Sequence, residues 1–308
     1  MAAGKICVVG SANLDIVTPV PRHPVAGETV LGGDHRQVPG GKGANQAVAA
    51  ARLGGDVSFV GRVGDDPPGA TLRESLGAAG VDLTHLSTTA DVPSGIATIA
   101  VGPDGDNSIV VSPGANGHLT PADIEAASGV LGSAAVTLLQ LEVPMDAVTA
   151  AAQASSGTVV LNPAPAAALP DSLIAEVDVL VPNETELALL ADGPIPDDPD
   201  AAAELARTLP VDTVVVTLGA QGAVVVEGSA AAVHVPAPRI EPVDTTAAGD
   251  SFCGALATVL ARGGSLNDAV AWAVRVGAAT TLEPGAQPSL PTSEQVDERL
   301  AARAQASA

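Results

Sequence analysis

Short runs of β-branched and aliphatic residues alternate with alanine-rich helical patterns along most of this chain, and this alternation constrains the fold more than any other feature. The predicted strands are residues 6–10, 57–63, 135–143, 158–162, 177–183 and 213–219. The predicted helices are residues 44–53, 68–79, 121–131, 145–155, 184–191, 200–208, 249–262 and 266–281. This order predicts βαβ units, and therefore a parallel sheet with helices on both faces.

The composition agrees with such a sheet. Hydrophobic residues make up 46% of the 308 residues, but aromatic residues make up only 1%, and there is no tyrosine. The core must therefore be built from Val, Leu, Ile and Ala, which suits buried parallel strands between alanine-rich helices. The length fits one large α/β domain, or a main domain with a small accessory.

Two segments interrupt the alternation, residues 12–38 and 93–112, where strand patterns are more polar. In the second segment, SGIATIAV and SIVVS flank the turn PDGDN, which predicts a hairpin. We expect a small antiparallel sheet beside the main domain, and covering a ligand cleft is one use for it.

The charge balance limits the possible partners. The chain has 13 basic and 35 acidic residues, a formal net charge of -22. This charge repels nucleic-acid phosphates and anionic lipid head groups within about a Debye length, roughly 8 Å at physiological salt. We therefore expect no nucleic-acid partner and no membrane partner. A phosphate-bearing ligand would have to be held by local backbone donors and a metal ion.

The cysteines and the N-terminal segment bear on the compartment. Cys7 and Cys253 lie in a strand pattern and a helix pattern without metal-binding or redox spacing, so we expect both to be reduced core residues. Polar residues follow the N-terminus too soon for a signal peptide, and no apolar run approaches about 18 residues. We expect a cytoplasmic protein.

The stretch DTTAAGDSFCGALA, residues 244–257, places two aspartates around small residues just before a helix pattern. Ligands of parallel sheets bind where helices begin with unpaired N–H groups, and Gly249 would let an anion approach the backbone. Asp250 has two possible roles: an ordinary helix N-cap, or a general base for a hydroxyl that attacks phosphorus. Asp244 could orient the loop or support a cation. The motif alone leaves these alternatives open.

The stretch PGGKGANQAVAAARLGG, residues 39–55, is a glycine-rich turn that leads into a helix, and Lys42 is one of two lysines in the chain. It is either a flexible loop with Asn45 as a helix cap, or a polar pocket in which Gly41 and Gly43 permit close approach and Asn45 binds hydroxyls. The Walker A pattern is absent. In SANLD, residues 11–15, an amide and a carboxylate lie at alternate positions on one strand face, as a polyhydroxyl ligand requires.

Eight motifs occur in a fixed order: SANLD, GGKGANQAVAAARLGG, LQLEVP, LNPAPAAALP, VPNETE, TLGAQG, DTTAAGDSFCGAL and PGAQPSLP. In order and approximate spacing they resemble the PfkB family of carbohydrate kinases, and within it the bacterial ribokinases. The resemblance runs through essentially the whole chain. It implies a single domain, residues 1–308, with a ribokinase-like fold: a three-layer α/β/α sandwich with a mostly parallel central sheet and a small antiparallel β-sheet lid.

The resemblance also implies an activity, the transfer of the ATP γ-phosphoryl group to the 5-hydroxyl of D-ribose, with Mg²⁺ and K⁺ as cofactors and a homodimer formed through the lid. It implies sugar binding by Asn13, Asp15, Gly41, Lys42, Asn45, Glu142 and Asp250, with Asp250 as the base. It implies nucleotide contacts from Asn183, Thr217 through Gly222 including Gly219, and Gly249, with Glu186 organising magnesium and phosphate. It implies a potassium site at Asp244, Thr246, Thr280, Glu283, Gly285 and Ser289.

Two positions depart from the family pattern. Ala247 replaces the first glycine of the usual DTxGAGD signature, and Val274 lies where some ribokinases place a histidine near adenine, so the adenine pocket should be more apolar. Ribokinases can carry alanine at the first of these positions.

Three other functions remain as alternatives. The first is a kinase of this family for deoxyribose, another small sugar or a nucleoside, although the lid offers no aromatic side chain for a base. The second is a non-catalytic sugar-sensing protein, against which the presence of Asp250, Lys42 and Glu186 argues. The third is a Rossmann dehydrogenase, which is disfavoured because no GxGxxG follows the first strand.

Overall fold

The computed structural model describes residues 4–306, which form two sheets. Numbered in chain order, the strands of the main sheet are β1 (Lys5–Val9), β4 (Asp56–Gly64), β5 (Asp82–Thr89), β8 (Val136–Leu139), β9 (Thr158–Leu161), β10 (Val179–Leu180), β11 (Thr213–Thr217), β12 (Ala223–Glu227) and β13 (Val233–Val235). The strands of the second sheet, the lid, are β2 (Asn13–Pro19), β3 (Arg36–Gly40), β6 (Gly95–Val101) and β7 (Asn107–Ser112).

The main sheet has the strand order β13-β12-β11-β10-β9-β8-β1-β4-β5. Every neighbouring pair from β11 to β5 is parallel, whereas β12 and β13 are added to one edge in antiparallel fashion. The mostly parallel sheet predicted from the sequence is therefore confirmed.

The helices cover both faces of the main sheet. They are α1 (Lys42–Arg52), α2 (Pro67–Ala78), α3 (Pro121–Ala126), α4 (Ser128–Ser133), α5 (Met145–Ala154), α6 (Asp171–Ile174), α7 (Glu184–Leu190), α8 (Pro199–Ala206), α9 (Ala248–Ala261), α10 (Leu266–Thr280) and α11 (Ser293–Ala306). Alternate residues of β1 enter two separate cores: Ile6 and Val8 pack with α1, α2, α9 and α10, and Cys7 and Val9 pack with α3 to α8. A strand buried on both faces needs a continuous apolar sequence, which ICVV supplies.

Some elements differ from the prediction. The helix expected at residues 121–131 is two short helices that meet at Ala127, and the strand expected at residues 177–183 keeps only two residues in β10. The sequence analysis missed β5, β12, β13, α6 and α11. Strand β5 was missed because its polar and half-buried residues lie at an edge of the sheet, and β12 because its apolar run directly follows the glycine turn after β11.

The lid has the order β3-β2-β6-β7. Its two outer pairs are antiparallel and its central pair, β2 with β6, is parallel. This follows from the connections, since β2 and β6 each follow a strand of the parallel main sheet and leave it in the same direction. Strand β7 is exposed along its whole length.

The cysteines lie where the sequence predicted. Cys7 and Cys253 are buried and form no disulfide, and burial raises the pKa of the Cys7 thiol to about 12. Within residues 4–306, no helix has both the length and the apolar character that crossing a membrane requires.

Candidate active site

A cleft of about 670 Å³ opens at the carboxyl ends of the main-sheet strands. Lys42 and Asp250 line one end of this cleft, and Gly222 and Val274 line the other. Its position follows from the fold, because parallel strands deliver their carboxyl ends to one edge, where helices α1, α7 and α9 begin.

The predicted sugar-binding residues lie together beyond the first end. Asn13 and Asp15 are the first and third residues of lid strand β2, so they share a face. The Lys42 backbone N–H donates to Glu142 at 3.0 Å. A side chain at Gly41, where φ is +87°, would lie 2.6 Å from the Asn13 backbone nitrogen, so only glycine fits there.

Asp250 does not cap helix α9. The residue at the N-cap is Ala247, in the left-handed conformation (φ 60°, ψ 10°), and Asp250 is the third residue of the helix, with 8% of its surface exposed. Its Oδ2 accepts a hydrogen bond from Asn45 Nδ2 at 2.9 Å, and its Oδ1 accepts one from Gln46 Nε2 at 3.1 Å. The N-cap interpretation of Asp250 is therefore wrong.

Asn45 does not cap helix α1 either. The N-cap residue of α1 is Gly41, and Asn45 lies inside the helix, with 5% of its surface exposed. Its amide nitrogen is directed to Asp250, and its Oδ1 is buried without a hydrogen-bond partner among the described residues. A buried acceptor without a partner is unfavourable in the free protein, and a ligand hydroxyl could satisfy it.

The charges at this end are mostly negative. Burial, together with the nearby carboxylates of Glu142 and Asp250, raises the pKa of Asp15 to about 7. Burial lowers the pKa of Lys42, but Asp250, Glu142 and Glu186 raise it above its ordinary value, so Lys42 carries its charge. A single lysine therefore faces several carboxylates.

The start of helix α9 can hold an anion. Ala247, Ala248 and Gly249 line the cleft with small side chains, and a Cβ added at Gly249 would meet no other atom within 4 Å. N–H groups in the first turn of a helix have no partner inside the helix and attract negative charge. Ligand oxygens can therefore approach this backbone directly.

The nucleotide residues predicted from the sequence line the other end. Asn183 and Glu186 form a capping box at the start of α7, in which the Glu186 N–H donates to Asn183 Oδ1 at 2.8 Å and the Asn183 N–H donates to Glu186 Oε2 at 2.9 Å. Burial raises the pKa of Glu186, although the Asn183 N–H and Lys42 act in the opposite direction. Thr217, Gly219 and Gly222 line the cleft near them.

Three of the predicted potassium residues are joined by hydrogen bonds. Asp244 accepts from the Thr246 N–H at 2.9 Å and from the Gly285 N–H at 2.8 Å. The hydroxyls of Thr280 and Ser289 do not contact Asp244. The Thr280 hydroxyl donates to Ser251 Oγ or to the Val276 carbonyl, and the Ser289 hydroxyl donates to the Ala286 carbonyl. Glu283 lies between Thr280 and Gly285 in the same loop but has no hydrogen bond to Asp244 among the described contacts.

Four buried or half-buried polar residues of the site were missed by the sequence analysis: Gln46, Asn116, Gln140 and Asn162. Two of them had a local signal, because Gln140 and Asn162 interrupt or end apolar strand patterns at the carboxyl edge of the sheet. Gln46 directly follows Asn45. Asn116 bonds both the N–H and the carbonyl of Ala12, and it also donates to Asn13 Oδ1 at 2.7 Å.

Comparison with known proteins identifies relatives over nearly the whole chain. The model of the pfkB family carbohydrate kinases matches residues 3–293. The chain is 40% identical to the ribokinase of Bacillus subtilis, covering 96% of this chain and 99% of that protein. It is 37% identical to the deoxyribokinase of Salmonella typhi, with coverages of 96% and 98%.

A solved structure has the same fold. The ribokinase of Arabidopsis thaliana, solved in complex with ribose and ATP, superposes with a TM-score of 0.88 at 32% identity, covering 97% of this chain and 99% of that one. This similarity confirms the ribokinase-like sandwich with its small second sheet. The family match, the identities over nearly the full length and the shared fold together establish that this chain belongs to the pfkB family of carbohydrate kinases.

Proposed function

We propose that this chain is a ribokinase, which transfers the γ-phosphoryl group of ATP to the 5-hydroxyl of D-ribose and gives ribose 5-phosphate and ADP. The observation that carries the proposal is the position of Asp250, a buried carboxylate between hydroxyl-binding side chains on one side and the anion-binding start of α9 on the other. The ribokinase and ribose–ATP relatives support the choice of substrates.

In this mechanism Asp250 accepts the proton of the 5-hydroxyl as the sugar oxygen attacks the γ-phosphorus. A new O–P bond forms, the bond between the γ-phosphorus and the β–γ bridging oxygen breaks, and ADP leaves with that bond's electron pair. The N–H groups at the start of α9 stabilise the phosphoryl oxygens in the transition state. Lys42, which is charged and lines the same end of the cleft, adds a second positive group.

The sugar is held by the remaining polar residues of this end: Asn13, Asp15, Gly41, Lys42, Asn45 and Glu142. Asp15 and Glu142 can accept hydrogen bonds from sugar hydroxyls, and the unpartnered Asn45 Oδ1 can accept another. A site built from such groups rejects ligands that lack the matching hydroxyls.

Magnesium fits the acidic side of the cleft. We propose that Glu186 helps to organise the ion, since its second carboxylate oxygen is not used in the capping box. A hard cation such as Mg²⁺ prefers carboxylate oxygens, phosphate oxygens and water. When bound, Mg²⁺ neutralises phosphate charge, which the net charge of -22 makes necessary.

We propose a potassium site in the loop that contains Thr280, Glu283, Gly285 and Ser289, together with Asp244 and Thr246. The hydroxyls of Thr280 and Ser289 are already used, so these residues would contribute carbonyl oxygens, which suit K⁺. Turnover should rise when K⁺ replaces Na⁺ at constant ionic strength, and K⁺ should raise the melting temperature without substrate. Equal turnover and equal melting temperature in both salts would remove this site.

We also propose a homodimer formed through the lid. Strand β7 exposes Ile109, Val110 and Val111 by 55%, 66% and 44%, an apolar edge that a second lid could cover. Sedimentation of only monomer at micromolar concentration would contradict this. The expected cytoplasmic location and the expected lack of nucleic-acid and membrane partners stay predictions.

The choice of sugar is the open alternative, because a deoxyribokinase relative covers the chain as fully as the ribokinases do. The decisive experiment compares ribose, deoxyribose, other small sugars and nucleosides with Mg²⁺ and ATP, with ADP release as the measurement. Ribose should give the highest kcat/KM. A preference for deoxyribose or a nucleoside would change the substrate but keep the kinase, whereas no ADP release with any of them would favour a sugar-sensing protein.

A further inference from the structure

Helices α1 and α9 approach each other unusually closely beside the proposed base. Gly254, one turn after Asp250, faces α1, and a Cβ added there would lie 2.8 Å from the Gln46 carbonyl oxygen and 2.9 Å from the Ala50 nitrogen. Only glycine allows this separation. Because of it, side chains as short as Asn45 and Gln46 reach across to the carboxylate of Asp250.

The contact partners fix the orientation of each amide. An ionised carboxylate only accepts hydrogen bonds, so Gln46 must present Nε2 to Asp250. Its Oε1 then faces Gln140, which donates from Nε2 at 2.6 Å. Gln46 Nε2 also donates to Asn162 Oδ1 at 3.1 Å, and Asn162 Nδ2 donates to the Val181 carbonyl at 3.0 Å.

This arrangement is not the one that stability alone would favour. Gln46 and Gln140 are completely buried, and Gln140 Oε1 has no hydrogen-bond partner among the described residues. A buried amide oxygen without a partner is destabilising. A Cβ added at Gly10 would lie 2.0 Å from that same oxygen and 2.9 Å from the Cα of Gly43, so the neighbouring backbone leaves no room for a side chain there. The fold keeps a buried polar chain with an unpartnered acceptor where apolar side chains would pack without this defect.

We infer that Gln46 is a positioning residue for the reaction, and that the chain from Gln140 through Gln46 to Asp250 orients the base toward the attacking hydroxyl. Asn45 holds one oxygen of Asp250 and also faces the sugar site, so Gln46 is the holder that is independent of the substrate. This inference rests on the proposed role of Asp250 as general base.

The test is Gln46→Met, which keeps the length of the side chain but removes its donor. Single-turnover rates should be measured with saturating ribose and Mg-ATP from pH 5 to pH 9. Loss of one hydrogen bond to a carboxylate should lower the plateau rate about tenfold or more and move the acid limb up by about one pH unit. KM for ribose should change less than about threefold, since Gln46 is not placed against the sugar.

Other titratable groups near Asp250 are the same in the variant and in the wild-type protein. Asp15 on β2, whose pKa of about 7 lies inside the measured range, Lys42 on α1 and Glu186 on α7 interact with Asp250 electrostatically, whereas burial raises the pKa of the Cys253 thiol on α9 and keeps it neutral. Their contributions are therefore common to both pH profiles. Gln140→Met should shift the limb in the same direction by a smaller amount. Gln153→Met, at an exposed position of α5, is the matched control and should match the wild-type protein.

The outcomes separate two failures. If Gln46→Met has the wild-type plateau and acid limb, or if it only lowers the melting temperature with an unchanged limb, Gln46 is merely structural and the inference is wrong. If Asp250→Asn keeps more than about half of wild-type turnover, the base assignment itself is wrong. If Asp250→Asn turns over slowly while Gln46→Met behaves like the wild-type protein, the positioning role of Gln46 is rejected and the base assignment of Asp250 stands.

Discussion

The floor of the cleft, by which we mean the first turns of helices α1 and α9, and the lid each contribute one buried carboxylate. The protein holds these two carboxylates in different ways. Asp250 on the floor is 8% exposed and Asp15 on the lid is 9% exposed. Both oxygens of Asp250 accept amide hydrogen bonds from α1. None of the described residues donates a hydrogen bond to the Asp15 carboxylate. Burial and the nearby negative charges raise the pKa of Asp15 to about 7.

This difference indicates that the two carboxylates have different roles. Two amide hydrogen bonds orient the Asp250 carboxylate before any ligand binds, as its proposed role as general base requires. The Asp15 carboxylate of the lid accepts no hydrogen bond from the described residues, and under the proposed function its donors would be sugar hydroxyls. Sugar binding would then supply what Asp15 lacks and hold the lid against the floor.

The largest expected effect is on the floor. Asp250→Asn should lower turnover roughly 10²–10⁴-fold, the usual range for loss of a general base. Since Asp250 does not cap its helix, this loss cannot come from capping. Stability should fall by about 1 kcal/mol, because the new NH₂ group would face an amide donor from α1.

The control for Asp250→Asn is Asp268→Asn. Asp268 is the third residue of α10, as Asp250 is of α9, but it is exposed and faces its own N-cap, Ser265. The turnover of the Asp268→Asn variant should stay at the wild-type value. Comparable losses in both variants would mean that the position in the helix matters, and not the base.

On the lid, Asp15→Ala should chiefly weaken sugar binding, by about 1–3 kcal/mol, because the hydroxyls it accepts from lose their partner. ATP affinity should survive, since Asp15 does not line the nucleotide end of the cleft. Calorimetry with each ligand checks this, and Asp104→Ala in the exposed lid turn is the control. If Asp15→Ala lost its affinity for ATP but kept its affinity for the sugar, the assignment of Asp15 to the sugar site would be wrong.

The unpaired state of Asp15 also has a pH signature. Its pKa is about 7 in the folded protein and 3.8 in the reference state, so its protonated form favours folding at low pH, and that contribution is lost as pH rises through about 7. Asp15→Asn should therefore gain stability relative to the wild type between about pH 4 and 7, by up to roughly 4 kcal/mol, and no more above that. Free energies of unfolding at several pH values measure it, and a constant difference would contradict the unpaired state.

The sequence predicted the parallel sheet, its main helices and the lid, because each depends on local periodicity. It did not predict β13, a three-residue edge strand that depends on pairing with β12, and β12 was missed because its apolar run directly follows the glycine turn after β11. The contacts that orient Asp250 come from residues 205 and 204 positions away in the chain. No local pattern distinguishes Gln46 from an ordinary helical glutamine, whereas the glycines and aspartates of the motifs have few other uses at such positions.

The floor has one strained position. Ala247 adopts φ 60° and ψ 10°, a conformation that glycine occupies more easily, so Ala247→Gly should stabilise the protein by about 0.5–1 kcal/mol. Ala301→Gly, at an exposed position of α11, should instead destabilise it by about 0.5–1 kcal/mol. Thermal unfolding of both variants gives the comparison. If both substitutions destabilise equally, Ala247 is not strained.

The smallest effect should be on the lid edge. Val110 on β7 is 66% exposed in the single chain, so Val110→Thr should change the free energy of unfolding by less than about 0.5 kcal/mol at concentrations where the protein is monomeric. Val8→Thr on β1, which is completely buried, should cost more than about 1 kcal/mol, because its hydroxyl would enter an apolar core.

If two lids pair, the effect of Val110→Thr should grow with protein concentration, since the dimer then covers that side chain and stabilises the folded state by mass action. The effect of Val8→Thr should not, because its burial is complete within one chain. A Val110→Thr effect that stays small at every concentration would leave the lid edge as a solvent-facing surface.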